Sequence, residues 1–251
     1  MARANDKGWR QAADVIADAA QAQRRATKKA FDGRRSLRRL VNMVRKAFAR
    51  VDQTIDRVNA LAPPPQPIAC GAGCPFCCHI RVTTSPPEVL ALANHIERSW
   101  PAERVAALRR KLANVDTLTR GRDAAQRDKM RLPCPLLVDN DCSVHEMRPI
   151  NCRGIASVDV MACRRAYASH MDEPVPQVAL QATAADGIGY GLVAGLGDAG
   201  FQLEDVELIA GLRIALETHD AAGRWLGGEP LFEPSTWTGR APKSRKKKRT
   251  K

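Results

Sequence analysis

The residues best suited to chemistry in this chain are its eight cysteines, which fall into two groups. The first group reads C-GAG-C-PF-CC and contains Cys70, Cys74, Cys77 and Cys78. The second has 7, 9 and 10 residues between successive members and contains Cys134, Cys142, Cys152 and Cys163. Short C-x₂-C and C-x₃-C spacings place two sulfurs on one turn, where both can bind the same ion. The pattern therefore predicts metal binding by all eight cysteines.

Four structural disulfides are the alternative use of eight cysteines. The N-terminus reads MARANDKGWR, which is charged and has no apolar segment typical of a secretory signal. We therefore expect a cytoplasmic protein without a membrane span, in a compartment where thiols stay reduced. Cys77 and Cys78 are adjacent, and neighbouring cysteines rarely reach disulfide geometry without strain. Both observations favour metal binding over disulfides.

The sequence leaves the choice between zinc and iron open. Eight sulfurs suit two four-coordinate zinc sites, one iron–sulfur cluster such as 4Fe–4S with spare thiols, or two clusters. An all-thiolate zinc site carries a net charge of about −2. Arginines near the cysteines could offset it, namely Arg81, Arg148, Arg153, Arg164 and Arg165. Arg148 could donate to two sulfurs at once or make a turn-stabilising contact with backbone carbonyls, whereas Arg164 and Arg165 are more typical of surface residues or helix ends.

Two histidines, His79 and His145, lie beside or between the cysteines. Either could replace a sulfur as a metal ligand. A solvent-facing or hydrogen-bonded histidine is the more common interpretation of such a position.

The cysteine pattern also resembles a known family. The string Cys70-x₃-Cys74-x₂-Cys77-Cys78, followed by Cys134, Cys142, Arg148-Pro149 and Cys152-Arg153, is similar to the CxxCxxCC family of YkgJ-like cysteine cluster proteins. The similarity covers about residues 70–165. It implies chelation of zinc or iron and says little about a reaction.

The elements that position these cysteines are predicted to be helices. Aromatic residues make up only 4% of the chain, so Ala, Leu and Val must fill much of the core. We expect a mainly α fold: a helical scaffold with irregular cysteine-rich loops and an N-terminal helical arm. Residues 119–131 are expected to form an exposed helix or loop, and residues 177–218 two helices. Gly187, Gly191 and Gly195 recur every four residues, which favours close helix packing.

The N-terminal region contains two predicted helices. Residues 5–32 form the first, which ends at Gly33, and Ser36 is placed to cap the second. The second helix has an apolar seam with heptad-like spacing, formed by Leu37, Val41, Val44, Phe48, Val51, Ile55 and Val58. The seam fits a helical hairpin, a packing arm or a coiled-coil homodimer. With its flanking arginines, it also fits a basic helix on a membrane or nucleic-acid surface.

The net charge of +13 is unevenly distributed. Residues 1–60 carry +9 and residues 240–251 carry +8, whereas residues 61–239 carry −4. This distribution predicts a basic helical arm (1–62), a cysteine-cluster metal-binding domain (63–239) and a disordered basic tail (240–251). The basic ends could bind nucleic acid or another acidic partner.

Three functions follow as hypotheses. The first is a metal-binding protein. The second is a nucleic-acid-associated protein whose basic arms bind phosphates and whose zinc is structural. The third is a redox or transfer enzyme, for which the sequence identifies no substrate pocket and no catalytic cysteine.

Overall fold

A computed structural model describes residues 2–202 and 204–233, with side chains from residue 7 onward. The fold is mainly helical, as the sequence predicts, and the predicted tail (240–251) lies outside the described residues. The α-helices are α1 (Ala2–Phe31), α2 (Leu37–Leu61), α3 (Pro86–Ser99), α4 (Ala102–Thr119), α5 (Ala124–Lys129), α6 (Ile150–Gly154), α7 (Val160–Ala168), α8 (Ala179–Asp198), α9 (Leu208–Glu217) and α10 (Ala221–Leu226). The strands are β1 (Thr83–Thr84), β2 (Leu137–Val138), β3 (Asp141–Cys142) and β4 (Val206–Glu207). Two short 3₁₀-helices span Phe76–His79 and His145–Met147.

The N-terminal helices α1 and α2 form a hairpin. The chain turns at Gly33, whose φ of 73° is accessible to glycine at little cost. Ser36 caps α2 as predicted, because its side chain accepts a hydrogen bond from the amide of Arg39. Most of the apolar seam of α2 is buried within this chain, against α1 and α8.

Helix α8 lies along α1, and its glycines explain how closely the two helices pack. A Cβ atom added at Gly191 would overlap the carbonyl oxygen of Ala20, and one at Gly195 would lie 2.6 Å from the Cβ of Thr27. The predicted role of these glycines in close packing is therefore confirmed. At the surface, Arg24 of α1 donates two hydrogen bonds to the carboxylate of Asp198, at 2.6 and 2.8 Å.

Helices α3, α4 and α9 form the opposite part of the scaffold. Ser85 precedes α3 and forms a capping box with Glu88. The apolar stripe of α4 is buried, and it consists of Val105, Leu108 and Leu112. Helix α9 packs against both α3 and α4.

Two small antiparallel ribbons link distant segments. Strand β1 pairs with β4, which joins the segment after the first cysteines to the start of α9. Strand β2 pairs with β3 in a hairpin whose two turn residues, Asp139 and Asn140, have φ of 50° and 66°. Positive φ at both turn positions is the conformation that two-residue hairpins favour.

Residues 119–131 contain a helix and lie largely at the surface, as expected, but Arg127 is an exception. Helix α5 in this segment places Arg127 in the interior, with under 2% of its surface exposed. The guanidinium donates to the carbonyl oxygens of His79 and Leu132, at 3.1 and 3.0 Å. These bonds explain the burial, because an interior charge must satisfy its donors within the protein.

The apolar core is continuous through the scaffold. It contains residues of α1 and α2 together with residues of α3, α4, α8, α9 and α10. Ranges 1–62 and 63–239 thus contribute to one core, and their division into an arm and a domain stays a prediction. Among the described helices, none has an apolar stretch long enough to cross a bilayer.

Candidate metal centre

The first four cysteines lie on a loop and a 3₁₀-helix that are tied to later parts of the chain. The amide of Ala69 donates to the carbonyl oxygen of Ser157 at 2.8 Å. The amide of Gly73 donates to a carboxylate oxygen of Asp141 at 2.7 Å. These two bonds hold the loop of Cys70 and Cys74 against the second cysteine group.

The β2–β3 hairpin and the residues that lead into it position Cys134 and Cys142. The amide of Cys134 donates to the carbonyl oxygen of Cys78 at 2.7 Å, which brings the two backbone segments side by side. Cys142 is the last residue of β3. The hairpin turn therefore sets where Cys142 returns toward Cys134.

Cys152 lies on α6, a five-residue helix fixed at both ends. At its start, the amide of Ile150 donates to the buried carboxylate of Glu88 at 2.8 Å. At its end, Gly154 lies so close to α8 that an added Cβ would be 2.6 Å from the Cβ of Ala185. The small residue at this position lets α6 pack directly on α8.

Cys163 lies on α7, whose N-cap is Asp159. Ser157, just before this helix, contacts two cysteine side chains. Its amide lies 3.3 Å from the sulfur of Cys70, and its side chain forms a hydrogen bond with Cys163. Ser157 thus joins the first and last cysteines of the set.

The electrostatic interactions among the sulfurs define two neighbourhoods. In the first, Cys70 interacts with Cys74 and Cys77. Cys163 interacts with all three of these cysteines, Cys70, Cys74 and Cys77. We call Cys70, Cys74 and Cys163 the outer set.

The second neighbourhood contains the remaining cysteines. Cys78 interacts with Cys77, Cys134 and Cys142. Cys152 interacts with Cys134, Cys142 and Cys77. We call Cys78, Cys134, Cys142 and Cys152 the inner set; Cys77 has neighbours in both sets.

All eight cysteines are free thiols. Burial raises the pKa of Cys134 to about 12 and raises the pKa of Cys152 well above its usual value. Cys77 differs, because a hydrogen bond from the Cys78 side chain lowers the pKa of Cys77 to about 7. Thiols with a raised pKa, such as Cys134 and Cys152, need a compensating positive charge, such as a bound cation, to ionise near neutral pH.

Arg148 is the arginine that acts most directly on the sulfurs. Its charge favours the thiolates of Cys77 and Cys142. Its Nε is buried and has no hydrogen-bond partner, while an Nη contacts Nε2 of His145. An unpaired guanidinium donor that interacts electrostatically with sulfurs is suited to a bond with a metal-bound thiolate.

Arg153 has a structural role. It is buried and donates to a carboxylate oxygen of Asp52 at 2.5 Å and to the carbonyl oxygen of Arg148 at 3.0 Å. Its guanidinium lies over the ring of Phe48, 4.5 Å from the centroid. Arg153 therefore fastens α6 to α2, and its charge is already balanced by Asp52.

The remaining three arginines make local contacts. Arg81 donates to the hydroxyl of Thr83 at 2.9 Å. Arg165 forms surface ion pairs with Asp159 and Glu173, and Arg164 is exposed. The surface position expected for Arg164 and Arg165 is confirmed.

Both histidines have hydrogen-bond partners. Nδ1 of His79 lies 3.0 Å from the carbonyl oxygen of Pro75, and its ring packs edge-on against Tyr167. Burial lowers the pKa of His79. His145 is exposed and contacts Arg148. The hydrogen-bonded interpretation is therefore confirmed for both.

Three residues that position the cysteines were not identified from the sequence. Arg127 joins the carbonyl groups of His79, next to Cys78, and Leu132, two residues before Cys134. Glu88 holds the start of α6, and Ser157 links Cys70 to Cys163. Of these, only Glu88 has a sequence signal, the capping box, and that signal says nothing about its bond to Ile150.

The cysteine thiols are the type of donor that a thiophilic metal binds, and the fold brings thiols from different segments into one region. Free thiols from separate segments interact electrostatically with one another, and Arg148, which interacts with two of them, has a spare donor. The side chains are not preassembled, however: no group of three or more His, Cys, Asp or Glu residues in 2–202 and 204–233 is arranged to hold an ion.

Comparisons with protein-family models, with curated proteins and with solved structures found no match for this chain. The resemblance to the CxxCxxCC family rests on the cysteine pattern alone and stays a prediction.

Proposed function

We propose that this chain is a cytoplasmic protein that binds zinc or iron through its eight cysteines. One observation supports the proposal: free thiols from four separate segments, 70–78, 134–142, α6 and α7, lie within electrostatic range of one another. Bringing Cys163 next to Cys70 requires contacts across more than ninety residues of sequence. The ligands would be Cys70, Cys74, Cys77, Cys78, Cys134, Cys142, Cys152 and Cys163.

The physical argument concerns the thiols of the inner set. Partly buried thiols gain little from grouping as neutral side chains, since a sulfhydryl is a weak hydrogen-bond donor. A divalent cation changes this balance, because it binds thiolates and compensates their charge. Arg148 favours the same ionised state. These properties support metal binding over a purely apolar role.

The two sets suggest how the ligands divide. Cys77 together with the outer set gives four sulfurs, and the inner set gives another four. Zinc would cross-link the loops that carry these sulfurs, whereas an iron–sulfur cluster would supply one-electron transfer. In either case Arg148 would donate a hydrogen bond to a ligating sulfur, and Arg127 and Glu88 would hold the ligand loops in place.

The direct test is metal analysis of protein purified without oxygen. A brown solution with iron and acid-labile sulfide identifies a cluster, and a colourless solution with stoichiometric zinc identifies zinc sites. Protein that carries neither metal, and that takes up neither after reduction and incubation with Zn²⁺ or Fe²⁺, contradicts the proposal.

Single substitutions test the ligand assignment. Cys74→Ser removes a sulfur of the outer set and Cys152→Ser one of the inner set, so each is expected to lower the metal content. Met161→Ser is the matched control, because this exposed residue lies two positions before Cys163 and is not a proposed ligand. Full metal content and stability in both cysteine variants would show that the assignment is wrong.

A second candidate is a nucleic-acid-associated protein with a structural zinc site. The exposed arginines and lysines of the α1–α2 hairpin favour it, since many of them face solvent rather than the core. This function predicts RNA or DNA binding that weakens steeply with salt. Deletion of residues 240–251 is expected to abolish that binding; salt-independent binding would argue against it.

A further inference from the structure

A groove of about 540 Å³ lies between the first half of α2 and the end of α3, on residues that the proposed metal sites do not use. From α2 it is lined by Leu37, Arg38, Val41, Asn42 and Arg45, and from α3 by Asn94, His95, Arg98 and Ser99. Its volume lies in the range of ordinary small-molecule sites. The groove is therefore large enough for a ligand of several functional groups.

The charge of the groove is positive and uncompensated. Arg38, Arg45 and Arg98 are exposed. Within the described part of the chain none of the three forms an ion pair or a side-chain hydrogen bond, and no carboxylate is among the lining residues. Many other surface arginines are already paired, as Arg109 is with Glu97 beside this groove. The three guanidinium groups thus keep their donors available.

The spacing of the arginines suits a ligand with more than one anionic group. Arg38 and Arg45 are two helical turns apart, about 10 Å along α2. Arg98 approaches from the other wall. Guanidinium groups bind phosphate oxygens in a bidentate manner and remain charged at all ordinary pH values. A chain of phosphates could contact several of them at once.

Neutral polar groups between the arginines add hydrogen-bonding capacity. Asn42 and Asn94 offer amide donors, and Nδ1 of His95 lies 3.4 Å from the hydroxyl of Ser99. Leu37 and Val41 supply an apolar wall. The carboxylate of Glu146 acts electrostatically on His95. Because Glu146 does not line the groove, the charged residues of the lining are all cationic.

From this arrangement we propose that the groove between α2 and α3 binds a polyphosphate group through Arg38, Arg45 and Arg98. The group belongs either to a free polyphosphate compound or to the backbone of a nucleic acid. The site does not depend on the cysteines, and its failure would leave the proposed metal binding untouched.

Inorganic tripolyphosphate is the probe, with binding to the full chain measured by calorimetry at low salt. The double variant Arg45→Gln/Arg98→Gln is expected to bind it at least tenfold more weakly than the natural chain. Arg110→Gln is the control, because this exposed arginine of α4 does not line the groove. All the substituted residues are exposed, and circular dichroism checks that the fold is kept.

A single-stranded RNA oligonucleotide distinguishes the two sources of phosphate. If RNA binding falls in the double variant together with tripolyphosphate binding, the natural ligand is a nucleic-acid backbone. If RNA binding is unchanged while tripolyphosphate binding falls, it is a free polyphosphate compound. Absence of tripolyphosphate binding, or an equal loss in Arg110→Gln, would overturn the proposal.

Discussion

Glu88 connects the start of α3 with the helix that carries Cys152. Its side chain is only 5% exposed. One carboxylate oxygen accepts from the amide and the hydroxyl of Ser85, at 3.0 and 2.7 Å, and the other accepts from the amide of Ile150 at 2.8 Å. A single carboxylate therefore satisfies donors at two helix N-termini, where negative charge is also favoured by the helix dipole.

Glu88→Ala is expected to lower the free energy of unfolding by about 3 kcal/mol, because buried donors at Ser85 and Ile150 lose their acceptor. The measurement is urea unfolding of the natural chain and the variant. Glu103→Ala provides the control: this exposed glutamate also lies in the first turn of a helix, α4, and its loss is expected to cost about 0.5 kcal/mol or less. Equal losses in both variants would mean that the bond to Ile150 contributes nothing.

Single residues differ in how far the sequence reveals them. Ser36 and the pair Ser85 and Glu88 are recognisable, because caps depend on local spacing. The burial of Arg127 is not, since its partners are carbonyl groups of His79 and Leu132 and carbonyls have no sequence signature. Ser157 is hidden for the same reason, as its contact with Cys70 depends on the fold.

At the level of elements, the contact between α1 and α8 depends on residues without side chains. Gly191 faces the backbone of Ala20 so closely that no Cβ can be accommodated. Gly189, two positions earlier on the same helix, has more space: an added Cβ would lie 3.5 Å from Cγ2 of Ile150, an ordinary van der Waals distance.

This difference predicts opposite effects of one substitution at two sites. Gly191→Ala is expected to destabilise the protein by about 1–3 kcal/mol, because α8 must move away from α1. Gly189→Ala is expected to be neutral or to stabilise by up to about 1 kcal/mol, because alanine favours helix more than glycine does. Thermal unfolding of both variants checks the pair. A Gly191→Ala variant as stable as Gly189→Ala would refute close packing of α1 on α8.

The helices were more predictable than the ribbons. Periodic apolar residues identify α2 and α4 because each helix buries one face along its length. The two-residue strands β1 and β4 carry no periodicity, and their partners lie more than a hundred residues apart. The cysteine pattern identified candidate ligands, but the division into an outer and an inner set depends on α6 and α7, whose placement no local pattern specifies.

For the molecule as a whole, the cysteines lie at the margin of the apolar core. The fully buried core consists mainly of helix residues, and Cys134, Cys142 and Cys152 pack against it while only partly buried. The scaffold of α1, α2 and α8 contains no cysteine. The contacts of these three helices with one another therefore involve no proposed ligand.

This separation predicts the effect of metal removal on the loaded protein. A chelator is expected to lower the melting temperature by about 10 °C, because a metal at a thousandfold its Kd contributes about 4 kcal/mol and each kcal/mol shifts Tm by about 2–4 °C. The helical circular dichroism signal is expected to remain. Hydrogen exchange is expected to increase at 70–79 and 134–152 and to stay unchanged in α1 and α8. Loss of the helical signal together with the metal would contradict the separation.

The pairing of β1 with β4 also has a consequence for biosynthesis. Strand β4 and helix α8 both follow Cys163, so every cysteine leaves the ribosome before the segments that complete the scaffold. At roughly 5–20 residues per second, the stretch from Cys163 to Val206 takes several seconds to translate. During that interval the thiols belong to an unfinished chain, open to oxidants and to any metal ion in the surrounding solution.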